Sequence, residues 1–220
     1  MKKSLKNIEK IIKILKKETK KYKNPVVTEV SYDNNPYKVL ISCLLSLRTK
    51  DEVTAKATNR LFKEIKTPKD VLNLSRKQIE NLIYPVGFYR TKAKRIKEIS
   101  KTLIEKYKSK VPSDIDELLK FKGVGRKTAS IVMVYGFKKI DYIPVDIHVH
   151  VISNRLGWVK TKTPEQTMDK LMKIMPKKYW FDLNNLLVIH GQNICLTISP
   201  FCSKCPVNKY CPRIGIKRSR

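Results

Sequence analysis

Four of the five cysteines, Cys195, Cys202, Cys205 and Cys211, stand in the spacing C-x6-C-x2-C-x5-C within 17 residues. A stretch this short, stiffened by Pro200 and Pro206, has to wrap rather than run on as a regular element. Four thiolates so close together enclose one tetrahedral metal or one cubane cluster, and the spacing by itself leaves zinc and [4Fe–4S] both open. A metal reading needs reduced thiols, which an intracellular protein keeps. The N-terminus is basic with no apolar core behind it, unlike a secretory signal. The longest apolar stretch, Val39 to Leu47, is broken by Ser42 and Ser46 and falls short of the ~20 residues that cross a bilayer. The expectation is an intracellular protein (cytoplasm or nucleoid) with no membrane span.

Upstream of the cysteines the chain is written in helical periods. Leu5, Ile8, Ile12 and Leu15 recur at helical spacing over residues 4–22. Further patterns cover about 37–47, 51–65, 76–83, 90–107, 114–120, 126–135, 147–156, 164–174 and 178–194. Pro68, Pro85, Gly87, Pro112, Pro144, Gly157 and Pro176 punctuate them. Ser113 with Asp116 resembles a capping box that starts the helix after Pro112. Only Lys139 to Val145 looks strand-like. The fold class is therefore all-α, with about ten short helices. Cys43, inside an apolar helical run, reads as an inert buried thiol.

Lys plus Arg outnumber Asp plus Glu by 48 to 19, a net charge of +29. Such an excess draws polyanions, with nucleic acid the leading partner and an acidic membrane surface second. Charge alone names no target, but the segment from Leu118 to Ala129 narrows the choice. A short helix ends near Phe121, a turn carries Gly123, Val124 and Gly125, and a second helix opens at Arg126. Leu118, Phe121, Val132 and Met133 pack the two helices, and Ala129 lets them approach. Glycine N–H groups beside a helix N-terminus suit a phosphate, so Gly123, Val124 and Gly125, with Arg126, are expected to grip the DNA backbone, a contact that holds duplex without reading sequence. The spacing is that of a helix-hairpin-helix.

Lys127 falls in the first turn of that second helix, where the dipole disfavours a cation. Lys122 and Arg126 add like charge. Both effects favour the neutral amine, a nucleophile toward an electrophilic sugar carbon. An ordinary phosphate contact is the alternative. Asp146, after Pro144 and before a helical run, is a candidate N-cap. As a carboxylate it is also able to stabilise a cationic sugar or relay protons. His148 and His150 are two apart on a helix and do not share a face, so joint metal binding is not expected. Lys204 lies between the central cysteines, and Lys204 with Arg213, Lys217, Arg218 and Arg220 would face phosphates.

Gly123 to Ala129, Val145-Asp146, His190-Gly191-Gln192-Asn193-Ile194-Cys195 and the four-cysteine loop, in this order, closely resemble endonuclease III. The resemblance extends from about Asn35 onward. It implies a two-lobed helix-hairpin-helix glycosylase fold: a six-helix barrel at 29–139, and a second lobe of 1–28 with 140–220 that holds a [4Fe–4S] cluster in the loop 195–211. It implies a monomer acting on double-stranded DNA that contains damaged or abasic sites, with the damaged nucleotide flipped out. Lys127 matches the family's Schiff-base lysine and Asp146 its catalytic aspartate. The implied activity is removal of oxidised pyrimidines and cleavage 3′ to the abasic site by β-elimination.

Related mismatch glycosylases share the cysteine loop but typically lack a lysine at the Lys127 position. A monofunctional mismatch glycosylase and a non-catalytic cluster-bearing DNA-binding protein are the rival readings. Four positions depart from the family pattern. Lys122 replaces a proline and Ile147 a threonine. Arg48 stands where glutamine is frequent, and Phe88 where a leucine wedge is common. By the resemblance, Arg48 and Phe88 would contact the partner base left behind by the flipped nucleotide.

Overall fold

The computed structural model describes residues 2–220, with side chains from Asn7 onward. The contribution expected from Leu5 to the first helix's buried face lies outside the described residues. Among the described residues there are twelve α-helices and no strand. The segment Lys139 to Val145 that looked strand-like forms no strand and serves as a connector. No helix is long and apolar enough to cross a membrane.

The chain divides into two compact units, Val26–Lys139 and the residues up to Pro25 together with Ile140–Arg220. The first unit holds α2 (Val26–Ser31), α3 (Pro36–Ser46), α4 (Asp51–Glu64), α5 (Pro68–Asn73), α6 (Arg76–Ile83), α7 (Tyr89–Tyr107), α8 (Ile115–Leu119) and α9 (Arg126–Ile131). A π-helical turn over Val132–Gly136 prolongs α9. α3 is apolar on every side, as a central helix must be, and packs on α2, α4, α7, α9 and the π-turn. Asn35 caps it by accepting from Lys38 N–H at 3.1 Å, with Pro36 at the first helical position. The cap of α8 is Asp114, not Ser113: its Oδ1 accepts from the N–H groups of Asp116 and Glu117 at 2.9 and 3.0 Å. Asp114 reaches the second and third helical amides from the position where the backbone turns in. Ser113 instead accepts from Lys139 Nζ.

The second unit is built from α1 (Lys2–Glu18), α10 (Ile147–Arg155), α11 (Pro164–Ile174) and α12 (Trp180–Asn193), followed by the cysteine loop. Ile8, Ile12 and Leu15 of α1 join Val149, Leu171, Leu187 and Val207 in one apolar core. The loop after Cys195 is thus sewn to helices from both ends of the chain.

Candidate active site and metal centre

The hairpin in the first unit is held from inside. Leu118, Phe121, Val124, Ala129, Val132 and Met133 are all buried. The Phe121 ring meets Tyr107 of α7 edge-on, with centroids 5.7 Å apart. Val124 N–H donates to Phe121 O at 2.9 Å, so this amide is spent on the turn itself. Gly123 has φ +91°, a conformation that L side chains rarely adopt, and a Cβ there would lie 2.9 Å from Arg95 Nη1. Gly125 is different: a Cβ would meet no atom within 4 Å. Both glycines are exposed, and neither N–H finds an acceptor among the described residues. The turn therefore offers two unused donors at the start of a helix, flanked by exposed Arg126.

Lys127 is half-buried in the first turn of α9. Its carbonyl accepts from Ser130 Oγ at 2.9 Å, while its Nζ makes no hydrogen bond or ion pair among the described residues. Cys43 of α3 is buried close enough for the two groups to interact. Burial pushes its thiol up to about 12 and Lys127 pulls it the other way, so Cys43 stays a neutral neighbour of the amine.

The same unit brings together two residues far apart in sequence. Arg48, after α3, and Phe88, before α7, both have left-handed backbones (φ 52° and 57°). Both are exposed, Phe88 by 62%, and the Arg48 guanidinium carbon lies 5.7 Å from the Phe88 ring centroid. Behind them lies Lys92 of α7, buried, its Nζ donating to Leu45 O, Leu47 O and Thr49 Oγ1. Burial, with Arg95 adding like charge, lowers it to about 8. The sequence held a signal for it: Lys92 interrupts the apolar stripe Ile96, Ile99, Leu103 at helical spacing.

In the second unit Asp146 caps α10, its Oδ1 accepting from Val149 N–H at 2.9 Å. Its other oxygen takes no hydrogen bond among the described residues. Neighbouring Ile147 is exposed. His148 packs on Gly191, where a Cβ would come to 2.4 Å from the ring. His150 bonds Thr167 Oγ1 at 2.7 Å. The two histidines serve different contacts.

Cys195, Cys202, Cys205 and Cys211 line one small cavity with Phe201 and Ile216. Burial raises the thiols of Cys195, Cys205 and Cys211, Cys205 to about 11. Among the described residues no three His, Cys, Asp or Glu side chains stand in ready metal-holding geometry. The donor set nevertheless fits a thiolate-bound centre. Four thiolates in so apolar a place are costly until positive charge joins them. Buried Arg155 supplies part of that charge, donating from Nη1 to Cys195 Sγ at 3.2 Å and Leu196 O at 2.8 Å, and from Nη2 to Thr197 O at 2.7 Å. Sequence reasoning passed over Arg155, whose only mark was a basic residue ending α10.

Lys204 is exposed, its Nζ 5.9 Å from the Phe201 ring. The Arg220 guanidinium lies 4.0 Å from the same ring, and Arg213 donates to Asn208 Oδ1. Both arginines are exposed, and each also makes a contact within the loop region.

A helical fold with this glycine hairpin defines a class, and the sequence profile of the HhH-GPD superfamily base excision DNA repair proteins matches residues 41–177. Endonuclease III of Thermotoga maritima is 48% identical over 179 residues, 81% of this chain and 84% of that protein. The mouse endonuclease III-like protein 1 is 43% identical over 178 residues, 80% of this chain and 59% of its own length. A solved structure of a trapped endonuclease III–DNA covalent intermediate aligns with TM-score 0.76 at 37% identity, covering 81% and 84% of the two chains. A thermostable thymine-DNA glycosylase aligns with TM-score 0.81 at 24% identity over 94% and 96%, a likeness of fold alone. The chain belongs to the endonuclease III family. It is a base-excision-repair DNA glycosylase with AP lyase activity.

Proposed function

We propose that the chain excises oxidised pyrimidines of the thymine glycol type from double-stranded DNA and cuts 3′ to the resulting abasic site, with Lys127 as nucleophile. The observation that carries this is the Lys127 amine: half-buried, one turn from the two unused glycine donors, and unpaired among the described residues in a chain with a net charge of +29. An amine so placed, beside the phosphate-binding turn and engaged with no side chain among the described residues, is free to bond to an electrophilic sugar carbon.

In this reading Gly123 and Gly125 donate to a backbone phosphate, Arg126 adds charge, and Val124 contributes by packing rather than by its amide. The Lys127 amine bonds to the sugar C1′ as the glycosidic bond breaks and its electron pair leaves with the base. The sugar ring opens to the iminium form. Loss of a C2′ proton then sends electrons toward C3′, and the C3′–O bond breaks. Asp146 keeps one carboxylate oxygen on its cap and offers the other to the cationic sugar or the transferred proton. Arg48 and Phe88 contact the unpaired partner base.

Cys195, Cys202, Cys205 and Cys211 would hold a [4Fe–4S] cluster, which would supply the charge their thiolates need, and the loop 195–211 so closed would present Lys204 to phosphate. Iron and acid-labile sulfide in equal amounts support the cluster, and one zinc per chain contradicts it. The two compact units are read as the barrel and cluster lobes of the family.

The test of the chemistry is Lys127→Gln on duplex carrying thymine glycol or an abasic site. Strand cleavage is expected to vanish while duplex binding persists. A variant that still nicks abasic DNA overturns the assignment.

A further inference from the structure

Lys92 is only 5% exposed, at the N-terminal end of the buried stripe of α7. An ammonium has three N–H bonds, and this one uses three acceptors: Leu45 O at 2.8 Å, Leu47 O at 2.5 Å and Thr49 Oγ1 at 3.1 Å. All three lie on one short stretch leaving α3. Thr49 Oγ1 also accepts from Gly87 N–H at 3.2 Å. Gly87 has to be glycine here, since a Cβ would come to 2.6 Å from Arg48 O. Two loops are thus locked together through Lys92 and Thr49, and an exposed side chain stands beside the lock on each, Arg48 and Phe88.

Both of these residues have left-handed backbones. For a non-glycine residue that conformation is unfavourable and persists only where the surroundings fix it. A buried ammonium is also costly, and an apolar side chain at this place on the stripe would pack without desolvating a charge. What the lysine does and an apolar residue does not is gather carbonyls from beneath the Arg48 turn.

We infer that Lys92 is a positioning residue for partner-base recognition, presetting Arg48 and Phe88 as one rigid reader of the base left opposite the lesion. It governs which partner base is accepted rather than the rate of bond breaking. The inference rests on the assignment of Arg48 and Phe88 to the partner base made above. A preset reader discriminates because only one partner fits without rearrangement, whereas a loosened one adapts to each.

The experiment measures kcat/KM for thymine glycol placed opposite each of the four bases, together with the lyase rate on an abasic site in single-stranded DNA, which has no partner base. In Lys92→Met the spread between best and worst partner is expected to shrink about tenfold, equivalent to about 1.4 kcal/mol. Its single-strand rate is expected to stay within about twofold of the native chain. Lys92→Arg should recover part of the spread, and combining Lys92→Met with Arg48→Ala should flatten it no further than Arg48→Ala alone. Thr49→Val, which strands no charge, should act in the same direction but less, and serves if Lys92→Met folds poorly. An unchanged spread in Lys92→Met and Thr49→Val, a single-strand rate that falls in step with the duplex rate, or a native chain with no spread overturns the inference. If Arg48→Ala and Phe88→Ala both leave the spread intact while Lys92→Met shrinks it, the assignment of the reader itself is what fails.

Discussion

The glycine hairpin offers backbone amides and the cysteine loop offers thiols, and the two are held in opposite ways. The hairpin is fastened from within by Leu118, Phe121, Val124 and Ala129, and leaves two amides unused at its tip. Its shape exists before any ligand arrives. The loop from Cys195 to Cys211 has little core of its own. It hangs on Arg155, on Val207 in the apolar core and on Phe201 against Arg220, around a cavity lined by four raised or buried thiols. Packing preorganises the first region, and on the proposed function a bound group completes the second.

The largest effect that separates them is metal removal. Binding energy at a structural metal site is folding energy, so chelation under reducing conditions should abolish amide exchange protection across 195–211. Protection over 118–129 should remain. Loss of protection in both regions would mean that the hairpin too depends on the bound group.

Next in size is Phe121→Ala, which empties a buried aromatic site and should destabilise by about 3–5 kcal/mol in denaturant titration. Its iron content should match that of the native chain. A colourless, iron-poor variant would break the comparison from the other side.

The two glycines sharpen it further. Gly123→Ala forces a side chain into φ +91° beside Arg95, and should cost about 1–2 kcal/mol. Gly125→Ala meets open space and should change stability by less than about 0.5 kcal/mol, while weakening duplex binding because its Cβ occupies the ground a phosphate needs. Equal stability losses at the two positions would show that the tip is not preformed as described.

Asp146 is separated from its capping role by a pair of variants. Asp146→Ala loses a helix cap worth about 1 kcal/mol. Asp146→Asn keeps the cap and should melt like the native chain while base release falls sharply. An Asn variant of full activity would leave capping as the residue's whole role.

Sequence periodicity located the helices best where an amphipathic stripe runs long enough to repeat, as over Arg76–Ile83 and Pro164–Ile174. The six-residue helices Val26–Ser31 and Pro68–Asn73 escaped it, because fewer than two turns display no period. The glycine turn and the cysteine spacing were legible because their chemistry is carried by neighbours in sequence. Arg155 and the stacking of Arg48 on Phe88 were not, and Lys92 showed only as a lone charge on the apolar stripe of α7, with nothing to reveal its acceptors. Each depends on acceptors or rings brought in from elsewhere in the chain, which only the folded chain assembles.

The central claim is that Lys127 becomes covalently joined to DNA. Borohydride reduces an imine to a permanent amine linkage, so incubation with thymine glycol or abasic duplex and borohydride should yield a protein–DNA adduct. Peptide mapping should place it on Lys127, and Lys127→Gln should give none. No adduct from native protein that binds the duplex and carries its metal, or an adduct that survives in Lys127→Gln, would contradict the account.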